Sequence, residues 1–339
     1  MPMKKRILTI LQYAFFFGLG IFLVWWSIKD LSSDDRSQIK QSLKHARYFL
    51  IVPVFIVLIL SHYVRALRWR LLIEPLGHPV RRSNTFFAVM IGYLTNLAFP
   101  RLGEVIKCTV LARYEKVPVD KLIGTVILER IIDSLTLLVI FGITLVIQPG
   151  IYDQIINTFF HSSSDAEVKK HPYLLLALIA AGIVFLIIAA WMIIKKKNFS
   201  DLIKAIKKII KSVWQGISTI QHLKKRMQFI LLTILMWSLY LGCGYIGFFA
   251  LQETSGYGIK EALTILSAGS IGVIATPGGI GAYPILLEKT MQLYGLQKGI
   301  ALAFGWILWL SQTVVLLVGG LFSFVAMPYY NKKYRIEKS

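Results

Sequence analysis

The stretch LIGTVILERIIDSLTLLVIFGITLVI, residues 122–147, decides the fold of this chain. Apart from Glu129, Arg130 and Asp133 it holds no charged residue, and it exceeds the roughly 20 residues with which an α-helix crosses a bilayer. Because a segment inside lipid must satisfy its own backbone hydrogen bonds, we expect a helix rather than a strand. The stretch therefore predicts a transmembrane α-helix.

Similar apolar runs recur along the rest of the chain. Of its 339 residues 56% are hydrophobic and only 16% are charged, which is little charge for a soluble domain. The first run is too long for a signal peptide, and no small-residue cleavage site follows it. The predicted spans lie at residues 7–28, 48–64, 122–147, 172–194, 228–250 and 299–327. The predicted fold class is an all-α, polytopic integral membrane protein with one membrane domain over residues 1–339.

Two shorter apolar stretches, 84–100 and 262–277, contain polar residues and end in proline turns. If both re-enter the membrane as helical hairpins, 27 Lys and Arg residues lie on the cytoplasmic side and 10 on the outside. This distribution obeys the positive-inside rule, whereas a crossing by the first stretch alone would violate it. We therefore predict six full spans, two re-entrant hairpins and both termini on the cytoplasmic side of a bacterial cell membrane. Eight full spans is the alternative, and it also leaves both termini inside.

The segment between the two halves of the chain, 148–224, is predicted to be a connector that contains the span 172–194. Within it, residues 198–222 alternate apolar and lysine-rich faces at helical spacing. Such a basic amphipathic helix is expected to lie in the headgroup plane and to attract anionic lipid. A solvated linker helix is the alternative. The net charge of +21 is thus assigned to a membrane surface rather than to nucleic acid.

An internal repeat is predicted at one constant offset, which relates position 48 to position 225 and position 122 to position 299. Repeat A, residues 48–147, and repeat B, residues 225–327, contain a span, a hairpin and a second span in the same order, and a tail follows at 328–339. With re-entrant hairpins the two copies face opposite ways, as in transporters whose substrate site lies near the interface of inverted repeats. The alternative is that the segments only share hydropathy.

The first candidate site is the charged group within residues 122–147. Glu129 and Asp133 are four residues apart and share one face of the helix. Each charge at the centre of a membrane helix costs about 2.5–3.5 kcal/mol, so such residues face a cavity or pair with partners. A substrate role is one reading. A structural salt bridge between Arg130 and a carboxylate is the other.

The second candidate site comprises the turns of the two hairpins. Asn96, Arg101 and Glu104 flank the first turn, where the guanidinium of Arg101 suits a phosphate. The second turn carries Gly278, Gly279 and Gly281, which allow the backbone to approach a ligand closely. The alternatives are a cytoplasmic surface position for Arg101 and Glu104, and helix packing for the glycines.

Several apparent motifs carry no predicted chemistry. Arg65 and Arg68 share a helix face at the end of a span and are read as a cytoplasmic anchor, with a headgroup role as the alternative. The glycines at 242, 244 and 247 match a dinucleotide-binding spacing, but they lie in a predicted span with no strand before them. Cys108 and Cys243 are far apart and form no framework. We expect no cofactor, no metal site and no catalytic residue.

The combination of these motifs resembles the flippase-like membrane domain of lysylphosphatidylglycerol synthases, from about residue 7 to residue 327. The residues that carry the resemblance are Asn96, Pro100, Arg101, Gly103, Glu104, Glu129, Arg130, Asp133 and the Pro-Gly-Gly-x-Gly turn at 277–281. In two-domain members a soluble synthase attaches an amino acid to phosphatidylglycerol, and the membrane domain moves the product between leaflets. The chain ends about a dozen residues after its last span. The resemblance therefore implies a membrane domain without the synthase and without aminoacyl transfer.

One position departs from the family pattern. Relatives often carry a glutamate just after the glycine turn, where this chain has Pro284, and Glu288 follows one helical turn later if a helix starts there.

The expected function is a non-enzymatic translocase for a membrane phospholipid or lipid-linked substrate with an anionic or zwitterionic head group. Arg101 and Arg130 would pair with phosphate, and the three carboxylates would bind cationic groups or balance the arginines. Two other functions remain open, namely an enzyme acting on a lipid-linked substrate and an assembly subunit that presents the amphipathic helix to a partner. A homo-oligomer is also left open.

Overall fold

The computed structural model describes residues 18–29, 31–99, 101–148, 150 and 223–336, with side chains as far as Lys332. The chain divides into two compact units, Met1–Thr144 with Leu223–Ser339 and Leu145–His222. Nearly all of the second unit lies outside the described residues, including the predicted span 172–194 and the amphipathic helix 198–222. The contacts described below belong to the first unit.

The described residues form α-helices and short 3-10 turns, with no strand among them. In chain order the helices are α1 Gly18–Lys29, α2 Ser33–Lys44, α3 Ile51–Ile73, α4 Arg82–Ala98, α5 Leu102–Glu115, α6 Val119–Ile147, α7 Arg226–Phe248, α8 Ile259–Ala275, α9 Ala282–Leu293 and α10 Lys298–Ile336. This architecture confirms the predicted all-α class.

Four segments are long and apolar enough to cross a membrane: Tyr48–Leu76, Val119–Ile147, Arg226–Phe248 and Lys298–Lys332. They coincide with four of the six predicted spans. The predicted first span, 7–28, is described only over α1. The protein is a multi-pass helical membrane protein, and the total of six spans stays a prediction.

The polar helix α2 follows α1 and begins with a capping box. The Ser32 hydroxyl accepts a hydrogen bond from the Asp35 amide at 3.0 Å, and the Asp35 carboxylate accepts one from the Ser32 amide at 3.0 Å. These two bonds satisfy amides that the first turn of a helix leaves unpaired. The bond from the Ser32 amide, followed by that from its hydroxyl, lowers the pKa of Asp35 from its ordinary value.

Two helical hairpins, α4–α5 and α8–α9, occupy the stretches that were predicted to re-enter. Their arms have 17, 14, 17 and 12 residues. At 1.5 Å per residue the arms are about 18–26 Å long, which is shorter than a hydrocarbon core of about 30 Å. These lengths agree with the predicted re-entrant arrangement, which stays a prediction.

Glycines hold the arms of each hairpin together. A Cβ built on Gly103 would overlap the carbonyl oxygen of Gly92, and one built on Gly272 would lie 2.7 Å from the Cα of Tyr283. In the first hairpin the Gly103 amide also donates a 2.8 Å hydrogen bond to the side-chain carbonyl of Asn96. The absence of a side chain at these glycines therefore permits backbone-to-backbone contact between the arms.

Helices α3–α6 and α7–α10 follow the same order of one long, two short and one long helix. The first short helices, Arg82–Ala98 and Ile259–Ala275, have equal lengths of 17 residues. The offset of the predicted repeat, which relates position 48 to position 225, also relates the first residue of α4 to the first residue of α8. The inverted relation between the two copies stays a prediction.

The tips of the two hairpins contact each other. A Cβ built on Gly278 in the second tip would lie 2.8 Å from a side-chain carbon of Leu97, near the end of α4. The indole of Trp309 on α10 donates a 2.8 Å hydrogen bond to the Gly278 carbonyl and holds the second tip in place. This contact places the first turn against the second.

Candidate functional site

A group of buried charged side chains lies between α3 and α6. Arg65 donates to Glu129 at 2.9 Å and to Asp133 at 2.7 Å. Arg68 donates to the other oxygen of Asp133 and lies 3.5 Å from Glu129. Glu129 and Arg68 are completely buried, and Arg65 and Asp133 are at most 9% exposed. Two arginines three residues apart thus meet two carboxylates four residues apart.

The reading of Arg65 and Arg68 as a cytoplasmic anchor is wrong, because both side chains point into the protein. Helix α3 continues to Ile73, so the arginines lie inside the helix rather than at its end. One sequence signal could have found this pairing. Both helices carry two ionisable side chains about one helical turn apart on a single face.

Helix α7 contributes neutral hydrogen-bond acceptors to the same arginines. The Nε of Arg65 donates to the hydroxyl of Tyr240 at 3.3 Å, and Arg68 donates to the hydroxyl of Thr233 at 3.5 Å. The second half of the chain therefore takes part in holding the guanidinium groups in position.

Lys107 on α5 is a member of the site that sequence reasoning missed. Its ammonium lies 2.9 Å from Glu129, 3.4 Å from Glu104 and 4.6 Å from the ring centre of Trp69. The side chain is buried, so it connects the first hairpin with α6. The available signal was its position one turn after Glu104 on the same helix.

Arg130 forms its shorter ion pair with Glu104 of the first hairpin and a longer one with Asp133 on its own helix. Its guanidinium donates to Glu104 and lies 3.9 Å from Asp133. The Arg130 side chain is 42% exposed, in contrast to the buried arginines of α3. Arg130 and Glu104 therefore form the open side of the group. The salt bridge between Arg130 and a carboxylate, one of the two alternatives from the sequence, is present with Glu104.

Seven side chains are linked in this way and are called the charge cluster below. They are Arg65, Arg68, Glu104, Lys107, Glu129, Arg130 and Asp133.

A pocket opens beside the cluster, between the two arms of the first hairpin and α6. Its empty volume, open solvent included, is about 170 Å³. The residues that line it are Val89, Gly92, Tyr93, Asn96, Gly103, Glu104, Lys107 and Arg130. Asn96 lies at this pocket, and its side-chain carbonyl closes the hairpin through Gly103. The pocket offers charged groups to a polar ligand of small size.

Arg101 does not line the pocket, although it lies at the tip of the same hairpin. It is exposed, and its backbone adopts φ +64° in the left-handed region. A residue with a Cβ pays about 1–2 kcal/mol for this conformation. Arg101 is thus presented outward from a strained turn.

The three predicted glycines do not join the cluster either. Gly278, Gly279 and Gly281 have φ values of +58°, +75° and +72°. A Cβ on Gly281 would lie 2.7 Å from Leu23 and 2.9 Å from the carbonyl oxygen of Gly20 on α1. Close packing is therefore the visible role of this turn.

Glu288 lies on α9, which begins at Ala282, two residues before Pro284. It is 3% exposed. Lys289 and Gln292 of the same helix each donate to it at 3.3 Å. Its contacts are thus to neighbours on α9 and not to the charge cluster.

The family comparison matches nearly the whole chain. Residues 10–320 match the family described as "Lysylphosphatidylglycerol synthase TM region". The chain belongs to this family. The match includes both hairpins and the charge cluster, and it confirms the resemblance predicted from the motifs.

Two curated relatives of this family member are similar over shorter segments. A UPF0104 membrane protein of Methanocaldococcus jannaschii is 29% identical over 87 residues, which is 25% of the chain and 26% of the relative. The glycosyltransferase AglD of Haloferax volcanii is 26% identical over 113 residues, 33% of the chain and 18% of the relative. The similar segments thus span less than a third of either relative. No solved structure matches the chain.

Proposed function

We propose that this protein is a translocase that moves a phospholipid or lipid-linked substrate across the cell membrane. The head group would enter the pocket beside the charge cluster while the tails stay in the bilayer. The observation that carries this proposal is the position of Glu104, Lys107 and Arg130, which line an open pocket at a hairpin within a helical membrane protein.

The energetic cost of the cluster supports a function beyond holding helices together. Each ionisable side chain deep in a membrane helix costs about 2.5–3.5 kcal/mol. Buried ion pairs are often no more stabilising than apolar residues of the same volume. Apolar packing could join α3 and α6 at lower cost, and a binding role explains why charges occupy this position.

The hairpin arrangement supports movement between two sides. In the proposed topology of six spans and two inverted repeats, with both termini cytoplasmic, the hairpins enter from opposite faces. The contact between Leu97 and Gly278 would then lie between the two entrances. Opening this contact on one side at a time would give a head group alternating access.

The comparisons agree with a lipid substrate. The name of the family contains a phospholipid, lysylphosphatidylglycerol. The head group that we propose is anionic or zwitterionic, and no catalytic residue or cofactor is part of the proposal.

The test is movement of fluorescent phospholipids between leaflets of proteoliposomes, followed by chemical quenching of the outer leaflet. We expect faster movement with the protein than without it. The double variant Glu129→Ala with Arg130→Ala should lose most of this activity, and Arg113→Gln, an exposed position outside the cluster, should keep it. Unchanged movement for every lipid, or full activity of the double variant, would contradict the proposal.

A membrane-embedded enzyme for lipid-linked substrates is the second candidate. The observation that favours it is the partial similarity to a protein named as a glycosyltransferase. Incubation of purified protein with a lipid-linked sugar separates the two functions. A new covalent product would support the enzyme, and movement of unmodified lipid would support the translocase.

A further inference from the structure

The charge cluster is not neutral. Within the part of the chain that the structure describes, its seven members comprise four cations and three carboxylates. With each group in its ordinary ionised form, one positive charge is left over. An excess positive charge favours an anion close to it, and the Arg130 side chain, 42% exposed, is open to one.

The excess lies on the pocket side of the cluster. Arg65 and Arg68 face the two carboxylates of Glu129 and Asp133. The outer group, Lys107 and Arg130 with Glu104, carries one positive charge more than negative charge. Contacts of Lys107 with Glu129 at 2.9 Å and of Arg130 with Asp133 at 3.9 Å join the two groups. All three outer residues line the pocket.

The outer arginine has an unused donor. The Nε of Arg130 is buried and has no hydrogen-bond partner among the residues that the structure describes. A guanidinium presents its donors in a planar fork that fits two oxygens of a phosphate. Lys107 adds a second cation on the same side. Two cations and one unpaired donor thus lie at the pocket and can interact with an anionic group at its opening.

We infer that the pocket selects a head group of net charge −1, a phosphodiester without an amine, over a zwitterionic head group. This inference rests on the proposed function, since it names the substrate class of the same site. A monoanion neutralises the excess. A zwitterion adds a cation that would meet Lys107 and Arg130. Glu104, the carboxylate that lines the pocket, lies within salt-bridge distance of both, although its Oε2 has no hydrogen-bond partner among the described residues.

The experiment is isothermal titration calorimetry of the purified full chain in detergent. Dihexanoyl phosphatidylglycerol and dihexanoyl phosphatidylcholine are titrated in separate runs. The anionic lipid should bind roughly ten- to a hundred-fold more tightly, the range for hydrogen bonds to charged groups. Equal affinities, or tighter binding of the zwitterion, would overturn the inference. Inorganic phosphate alone should compete more weakly than the anionic lipid, and equal competition would show that free phosphate is the ligand and contradict a lipid head group.

Three variants test the charge count directly. Arg130→Gln removes the excess and should abolish the preference, and Arg130→Lys keeps the charge and should retain it. Glu104→Gln raises the excess and should widen the preference for the anionic lipid. Arg113→Gln is the matched control and should bind as the unchanged protein does. A preference that survives Arg130→Gln and does not respond to Glu104→Gln would show that the micelle surface, not the pocket, selects the anion.

These outcomes separate the inference from the proposed function. Should Arg130→Gln fail to fold, Glu104→Gln tests the same count in the opposite direction. Selective binding without lipid movement would contradict the translocase and leave the selectivity standing. Lipid movement with equal binding of both head groups would contradict the selectivity alone.

Discussion

The segments α3–α6 and α7–α10 have the same helix order but very different interiors. Under the offset that relates α4 to α8, the positions of Arg65, Arg68, Lys107, Glu129 and Asp133 correspond to Gly242, Tyr245, Pro284, Trp306 and Leu310. The second segment packs around Phe248 and Phe304, whose rings stack at 5.2 Å. An arrangement of long and short helices can therefore be packed with uncharged side chains at these five positions. The charges of the first segment are not a requirement of the fold.

The two hairpin tips show the same contrast at one residue. Arg101 and Gly278 correspond under the same offset, and both adopt left-handed backbone conformations, with φ +64° and +58°. Glycine takes this conformation without strain, whereas arginine does not. The first tip thus has an arginine at a position where the second tip has glycine, which adopts the same conformation without strain. The strain at Arg101 suggests that its side chain has a function.

The largest expected effect comes from breaking the charges of the first segment. Glu129→Ala leaves Arg65, Arg68 and Lys107 without their shared partner. We expect a loss of about 3–5 kcal/mol in the free energy of unfolding, because uncompensated buried charges remain. Thermal denaturation in detergent measures it. Asp120→Ala, exposed in the first turn of the same helix, is the control, and a stable Glu129→Ala protein would mean that the cluster does not hold α3, α5 and α6 together.

Closing a hairpin by glycine is a feature that both segments share, and Gly103→Ala tests it. The added Cβ would collide with the backbone of Gly92, so the arms must separate. Overpacking of this kind costs about 1–3 kcal/mol. Gly272→Ala should lower the denaturation midpoint by a similar amount through the second hairpin. Clearly different midpoints for the two variants would show that the two hairpins do not depend on glycine in the same way. Gly124→Ala has nothing within 4 Å of the added atom and should be neutral or slightly stabilising.

Arg101→Gly converts the first tip into the second. Relief of the left-handed strain and the added freedom of the unfolded chain nearly cancel, so the stability should change by less than about 1 kcal/mol. If the guanidinium binds phosphate, lipid movement in proteoliposomes should fall roughly ten-fold, because a hydrogen bond to a charged group contributes about 1.5 kcal/mol or more. Arg113 lies within helix α5 and not in a left-handed turn, so Arg113→Gly would not be a matched control. Arg113→Gln is the control instead. Unchanged movement in Arg101→Gly would remove Arg101 from the site.

The smallest expected effect concerns how the hairpins begin. Helix α8 is capped at Gly258, whose amide donates a 2.7 Å hydrogen bond to Glu261, whereas α4 has no side-chain cap. Glu261→Ala should cost about 0.5–1 kcal/mol through the lost cap. Thermal denaturation of this variant beside Lys260→Ala, an exposed neighbour, measures the difference. Equal midpoints would show that the cap adds nothing to the second hairpin.

Several parts of the fold could be predicted because their causes are local in sequence. Apolar length predicted the four described spans, and the prolines and glycines near 100 and 277 predicted both turns. The intramembrane group at 129–133 was visible because charge is rare in such a segment. Lys107 and the burial of Arg65 and Arg68 were missed, since none of the three looks unusual among the basic residues that surround it.

The sequence by itself determined that this protein is helical and lies in a membrane, because hydropathy and backbone hydrogen bonding act within each segment. Only the tertiary structure decided which charges meet. Glu129 is 64 residues from Arg65 and 22 from Lys107, and their contacts depend on how α3, α5 and α6 pack. The same packing left Arg130 and Glu104 at the open pocket and buried the remaining pairs, because a side chain's partners are set by the helix facing it and not by its neighbours in sequence.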